Sequence, residues 1–181
     1  MPRKHRLFAA TITLVFASAI ATPTAQAFTS WSTPTSLTNG TSFAGDEQVA
    51  MSADGTRAVV IWREGTGMGE IHMAAATVAI DAAGNSVATW ATPILVSNAS
   101  YESASPDVAL SANGSTVAAS WVEQRPGSIR VVRTNVYSLT GSTLTGSTPV
   151  DISDSAVSAN ETTKVRLSSD GTRAIVAWEY Y

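Results

Sequence analysis

The sequence contains no cysteine, and after its first residues it has a single histidine, His72. The first absence rules out disulfides, cysteine nucleophiles and thiolate zinc sites. The second means that any serine–histidine–acid arrangement would have to run through His72. That residue sits in "GEIHMAAATV", an apolar run that reads as a strand, where a structural histidine is the plainer reading. Charge is sparse, with 11 Lys and Arg facing 14 Asp and Glu in 181 residues, and past the first residues there is no basic cluster. Such a balance argues against nucleic acid or anionic membrane surfaces as partners. Helical periodicity is also missing, as is any long charged or proline-rich linker. The calcium-loop pattern D-x-[DN]-x-[DN]-G does not occur, and "EGTGMG" lacks the lysine and following helix of a phosphate cradle. No cofactor is expected.

What is present begins with an export signal. "PRKHR" is a basic start, "LFAATITLVFASAIA" an apolar run of signal length, and "TPTAQA" ends in an A-x-A pattern, so residues 1–27 read as a signal peptide cleaved after Ala27. Its removal takes Arg3, Lys4 and Arg6, leaving eight basic residues against fourteen acidic ones, a net charge of −6. A secreted protein, periplasmic or extracellular and free of the membrane after cleavage, is the expectation.

The remaining chain, 28–181, repeats itself. "SADGTRAVVIW" (Ser52 to Trp62) returns as "SANGSTVAASW" (Ser111 to Trp121) and "SSDGTRAIVAW" (Ser168 to Trp178), in steps of 59 and 57 residues. A second column recurs with it: "WSTPTSLTN" from Trp31, "WATPILVSN" from Trp90 and "GSTPVDISD" from Gly146. All five tryptophans fall in these two columns. Asp54-Gly55, Asn113-Gly114 and Asp170-Gly171 stand between apolar runs, a pattern that predicts hairpins with type I′ turns. The strand after each turn is nearly continuous in apolar residues, as in Ala58-Val59-Val60-Ile61-Trp62, which predicts burial on both faces. The Thr-Pro strand belongs at an outer edge, because proline cannot donate to a ladder.

Each unit therefore parses into four short antiparallel strands. The fold class predicted is all-β, with blades of the β-propeller type in about two and a half to three repeats. The repeats lie near 48–97, 107–153 and 164–181, preceded by an outer strand at 31–38. So few blades do not close a ring; either the chain is a fragment of a longer protein or several copies assemble as a homo-oligomer.

The order "PDVALSANG", strand, strand, "TPVDIS" resembles the blades of periplasmic TolB-type propellers, over Trp31 to Trp178. The resemblance implies the propeller fold and, in its register, two sets of loops sharing one face. One set follows the tryptophans (63–70, 123–128, 179 onward); the other precedes the inner strands (39–47, 98–105, 155–164). Secreted sialidases offer a weaker comparison, because Asp54 and Gly55 are adjacent here and the Asp-box of those enzymes is absent.

A glutamate closely follows each of Trp62, Trp121 and Trp178 (Glu64, Glu123, Glu179), with Arg63 and Arg125 nearby. One reading is a ring of carboxylates and guanidiniums around a central funnel, suited to sugars or cations; the other is solvated strand ends whose charges keep an edge soluble. The expected function is a non-catalytic binding module for a carbohydrate, a cell-surface component or a protein. The alternative is the amino-terminal part of a secreted propeller enzyme such as a sialidase-like glycoside hydrolase.

Overall fold

The computed structural model describes residues 8–9, 34–38, 40, 42–82, 84–154 and 159–180. The expected cleavage site at Ala27, Trp31, and most of the expected leader lie outside these residues, as do residues 155–158 of one expected loop.

Among the described residues all regular structure beyond one short 3-10 turn (Pro126–Ser128) is β, and every pairing is antiparallel. Two short strands, β1 (Phe8–Ala9) and β2 (Thr35–Ser36), pair with each other. The first large sheet has the order β3 (Ala44–Met51), β4 (Arg57–Glu64), β5 (Glu70–Ile80), β6 (Ser86–Trp90), with β7 (Ile94–Leu95) also on β5. The second repeats it as β8 (Glu102–Leu110), β9 (Thr116–Arg125), β10 (Ile129–Thr140), β11 (Thr143–Gly146), with β12 (Val150–Asp151) also on β10. The third consists of β13 (Ala159–Leu167) and β14 (Ala174–Tyr180). The sheets do not close into a barrel.

The apolar runs fold as their composition demands. Six consecutive residues of β4, Ala58 to Arg63, are buried, as are seven of β9, Val117 to Glu123, because both faces of each strand are covered. The outer strand is split at its proline. β6 ends at Trp90, the Ala91 N–H still reaches the Ala75 carbonyl at 2.9 Å, and the ladder resumes past Pro93, with Ile94 opposite Met73 and Leu95 opposite His72. Pro149 interrupts β11 and β12 in the same way.

The hairpin turns differ from the type I′ expectation. That turn needs positive φ at both central residues, yet only the glycines have it: Gly55 at 72°, Gly114 at 69°, Gly171 at 71°. The Gly55 N–H instead closes a four-residue turn onto the Ser52 carbonyl at 3.0 Å, and the acid caps the loop from within. Asp54 Oδ1 accepts from the Ser52 hydroxyl (2.6 Å) and the Thr56 N–H (3.0 Å), while Ser52 Oγ accepts from the Arg57 N–H (3.0 Å). Ser111-Asn113-Ser115 and Ser168-Asp170-Thr172 repeat the pattern. The phrase S-x-[DN]-G-[ST] thus encodes a side-chain-capped four-residue loop.

Successive sheets stack face to face. β8 lies against β3 and β4, and β13 against β8 and β9. The largest core, between the first two sheets, gathers Val59, Ile61, Ile71 and Met73 with Val108, Val117, Ala119 and Trp121. A smaller one joins Ala109 and Ala118 to Val165 of the third sheet. The other face of the first sheet carries Trp62 with Val60 and Ala74, covered by Leu37 and Trp90. Leu37 stands 59 residues before Val96, so it packs near Trp62 as Val96 packs in the cluster of Trp121.

Candidate functional site

At the end of the first sheet, β4 runs out of apolar residues and presents Arg63, which is 8% exposed. Its Nε lies 2.7 Å from Asp46 Oδ2, its Nη1 donates to the carbonyls of Gly65 (3.0 Å) and Gly67, and its guanidinium covers the Phe43 ring at 5.3 Å. Asp46 sits in a register shift of β3 with φ of 57°, and Ser105 occupies the equivalent shift of β8 with φ of 50°. Arg63 therefore ties the bulge to the glycine-rich loop 65–69. That loop is anchored across the sheets by reciprocal bonds between Gly69 and Ser103 (2.8 and 2.6 Å). A side chain at Gly69 would strike the Glu64 carbonyl, so the close approach requires glycine.

This anchored loop and the segment before β8 wall an open groove of about 620 Å³. The loop after Trp62 and the loop before β8 therefore meet in one place. Glu64, Glu70 and Glu102 line the groove with His72 and Tyr101, and the hydroxyls of Ser42, Thr66 and Ser100 add further polar groups. Glu64 and Glu70 are directly opposed in the β4–β5 ladder. Glu70 Oε2 stands 3.3 Å from His72 Nε2, and the imidazole stacks on Trp62 at 5.9 Å. Among the described residues no Lys or Arg lines the groove. Its walls consequently offer carboxylate and hydroxyl acceptors to a ligand rich in O–H or N–H donors.

Behind Tyr101 lies a network of charges. Glu123 is fully buried, with Oε1 2.7 Å from Arg125 Nε and Oε2 3.3 Å from Arg133 Nη1. Asp151 completes a square of alternating sign, 3.1 Å from Arg125 Nη2 and 2.8 Å from Arg133 Nε. Arg133 Nη2 also donates to the Pro149 carbonyl at 2.9 Å, at the proline break just before β12. A buried carboxylate is tolerable only with such compensation. The Arg125 guanidinium also stands 4.9 Å from the centre of the Tyr101 ring, a cation–π contact that links the network to the groove.

Of the residues singled out in the sequence, the structure brings Glu123 and Arg125 into contact and places Glu64 in the groove wall. Arg63 serves the bulge and the loop, and Glu179 is exposed on β14. Glu64 and Glu123 come two residues after their tryptophans and share the tryptophan's face, whereas Glu179 comes one residue after Trp178 and faces the opposite way. Arg133, Asp151, Tyr101, Glu70 and Glu102 escaped the sequence reading because their roles depend on ladder register and sheet stacking. His72 lies where a strand histidine was expected, paired in register with Trp62.

Among the described residues no group of three His, Asp or Glu side chains is arranged to hold a metal ion. No family model, curated protein or solved structure matches the chain.

Proposed function

We propose that this chain is an exported, non-catalytic binding module of the β-propeller type, and that it takes a carbohydrate or another hydroxyl- or ammonium-bearing surface component in the groove of Glu64, Glu70, Glu102 and Tyr101. The observation that carries the reading is the groove's composition: three carboxylates, an imidazole and an aromatic ring, with no opposing cation among the described residues. Sugar hydroxyls donate well to carboxylates, and an aromatic face suits the C–H face of a pyranose. Tyr101 is held by Arg125, so the ring is pre-positioned and little side-chain freedom is left to lose on binding. The propeller reading is supported by three stacked antiparallel sheets whose hairpins recur at steps of 59 and 57 residues. Export is supported by the sequence of residues 1–27.

The test is a titration of the purified protein with neutral, acidic and amino-sugar oligosaccharides, followed by isothermal calorimetry and by Tyr101→Ala. Binding weakened at least tenfold by Tyr101→Ala and by Glu64→Gln/Glu102→Gln is expected. Binding that ignores these changes, or no binding across the panel, overturns the site. Hydrolysis of a bound oligosaccharide overturns the non-catalytic reading.

A further inference from the structure

The two internal joints between sheets are built by one rule. In the first, the Ala53 N–H donates to the Ala112 carbonyl at 2.9 Å; in the second, the Ala112 N–H donates to the Ser169 carbonyl at 2.9 Å. Each turn thus hands one hydrogen bond to the turn that follows, and the ladder has a direction. The turn glycine of each following sheet also sits on its predecessor. A Cβ on Gly114 would lie 2.7 Å from Arg57 Cγ and 3.2 Å from Ser52 Cβ, and one on Gly171 would lie 2.7 Å from Thr116 Cβ and 3.0 Å from Ser111 Cβ.

At the two outer faces of the stack the same elements are present and, among the described residues, unmatched. The Ser169 N–H has no acceptor and the Ala53 carbonyl no donor. Gly55 has no atom within 4 Å of where its Cβ would be, and the Ser168–Arg173 seat equivalent to Ser52–Arg57 and Ser111–Thr116 carries no glycine. The apolar positions agree. Val49 of β3 is 71% exposed, yet its equivalents Val108 and Val165 are buried at 5% and 0% against the preceding sheet. Ile175 of β14 is 74% exposed, yet its equivalents Ala118 and Val59 are both 0% exposed under the following sheet.

We propose that the third sheet of one molecule docks on the first sheet of a second copy, head to tail, repeating the internal joint. The Ser169 N–H bonds the second copy's Ala53 carbonyl, Gly55 of the second copy seats on Ser168 and Arg173, and Ile175 packs toward Val49 and Met51. The shapes correspond. Leu37 and Trp90 already cover the outer half of the first sheet's free face, leaving Val49 and Met51 of its inner strand β3 open to β13 and β14. The charges correspond as well. Lys164 stands at the position of Asp107, and the second copy brings Glu47 where β13 has Thr163. The contact is heterologous, so each copy keeps one face for the next until the series closes. It involves none of the groove residues, so association and ligand binding stand or fall separately.

The test is the molar mass of the full chain in solution by light scattering and sedimentation, over a wide concentration range. The wild-type protein is expected to exceed the monomer mass as concentration rises. Val49→Glu blocks the first-sheet face and Ile175→Glu the third-sheet face; both residues are largely exposed, so circular dichroism and thermal unfolding should match wild type in dilute protein, where all three are monomeric. Each variant alone is expected to be monomeric, while an equimolar mixture gives a dimer and nothing larger, since one intact joint remains between them. A monomeric wild type, association by either variant alone, or a mixture that stays monomeric overturns the proposal.

Discussion

The backbone N–H of Val165 in the third sheet donates to the buried carboxylate of Asp107 in the second, 2.7 Å away across the gap between sheets. Arg166 Nη1 adds a contact to the same oxygen at 3.1 Å, and Lys164 Nζ stands 3.6 Å from the other. One side chain therefore satisfies a strand N–H and balances its own charge, at the point where β8 shifts register. Asp107→Ala would leave the N–H buried and without its acceptor. It is expected to cost about 2–4 kcal/mol in urea unfolding. Asp107→Asn keeps one acceptor oxygen and should cost clearly less. Equal costs would show that the carboxylate's charge, rather than its acceptor, holds the sheets together.

The turn glycines allow a controlled comparison. Gly55 and Gly171 have nearly equal φ, 72° and 71°, so alanine pays about 1–2 kcal/mol of left-handed strain at either site. Only at Gly171 does the new methyl meet Thr116, at 2.7 Å from both Cβ and Oγ1. Gly171→Ala is therefore expected to lower the melting temperature further than Gly55→Ala in dilute protein. Equal shifts would mean that the second and third sheets separate without loss.

The turn acids make the protein sensitive to acid. The Ser52 hydroxyl, followed by the Thr56 N–H and hydroxyl, holds Asp54 below the usual carboxylate range; Ser168 and Thr172 do the same for Asp170. A folded-state pKa below the unfolded one gives stability that is present above the unfolded value, near 4, and lost as pH falls through the folded value. Asp54→Asn/Asp170→Asn is expected to leave neutral-pH stability almost unchanged and to flatten its decline below about pH 4. Asn113 caps the middle turn with the same bonds and no titrating group, which makes the substitution conservative. An unchanged acid slope would show that other carboxylates control the transition.

These comparisons indicate what the sequence could convey. Strand order, the outer place of Pro93 and Pro149, and burial of both faces of β4 and β9 follow from patterns within a few residues of each other. The turn type did not, because Asp-Gly fits either a two-residue or a four-residue loop. Ser52 and Thr56, by supplying side-chain caps on both sides, favour the longer one. The groove was half legible: its loops and Glu64 could be placed, but Tyr101 joins Arg125 only through the stacking of loop and sheet. Glu179 shows the opposite case, where a recurring residue type shifted by one position turns to the other face.

Glu123 and Arg125 provide the sharpest test of the network behind the groove. Glu123 has no access to solvent and faces two guanidiniums, so losing it leaves Arg125 and Arg133 facing one another with only Asp151 between them. Breaking a buried pair in this way costs about 3–5 kcal/mol, largely from the charge left uncompensated. Glu123→Gln is expected near the lower end of that range, because the amide oxygen still accepts from one arginine. Arg125→Met removes the guanidinium from both Glu123 and Tyr101 yet should cost less, since Arg133 continues to neutralise Glu123. The double variant should be more stable than the sum of the single losses implies, by about 0.5–3 kcal/mol. Additive losses in denaturant unfolding would mean that the 2.7 Å contact contributes no coupling and that Asp151 alone orders the two arginines.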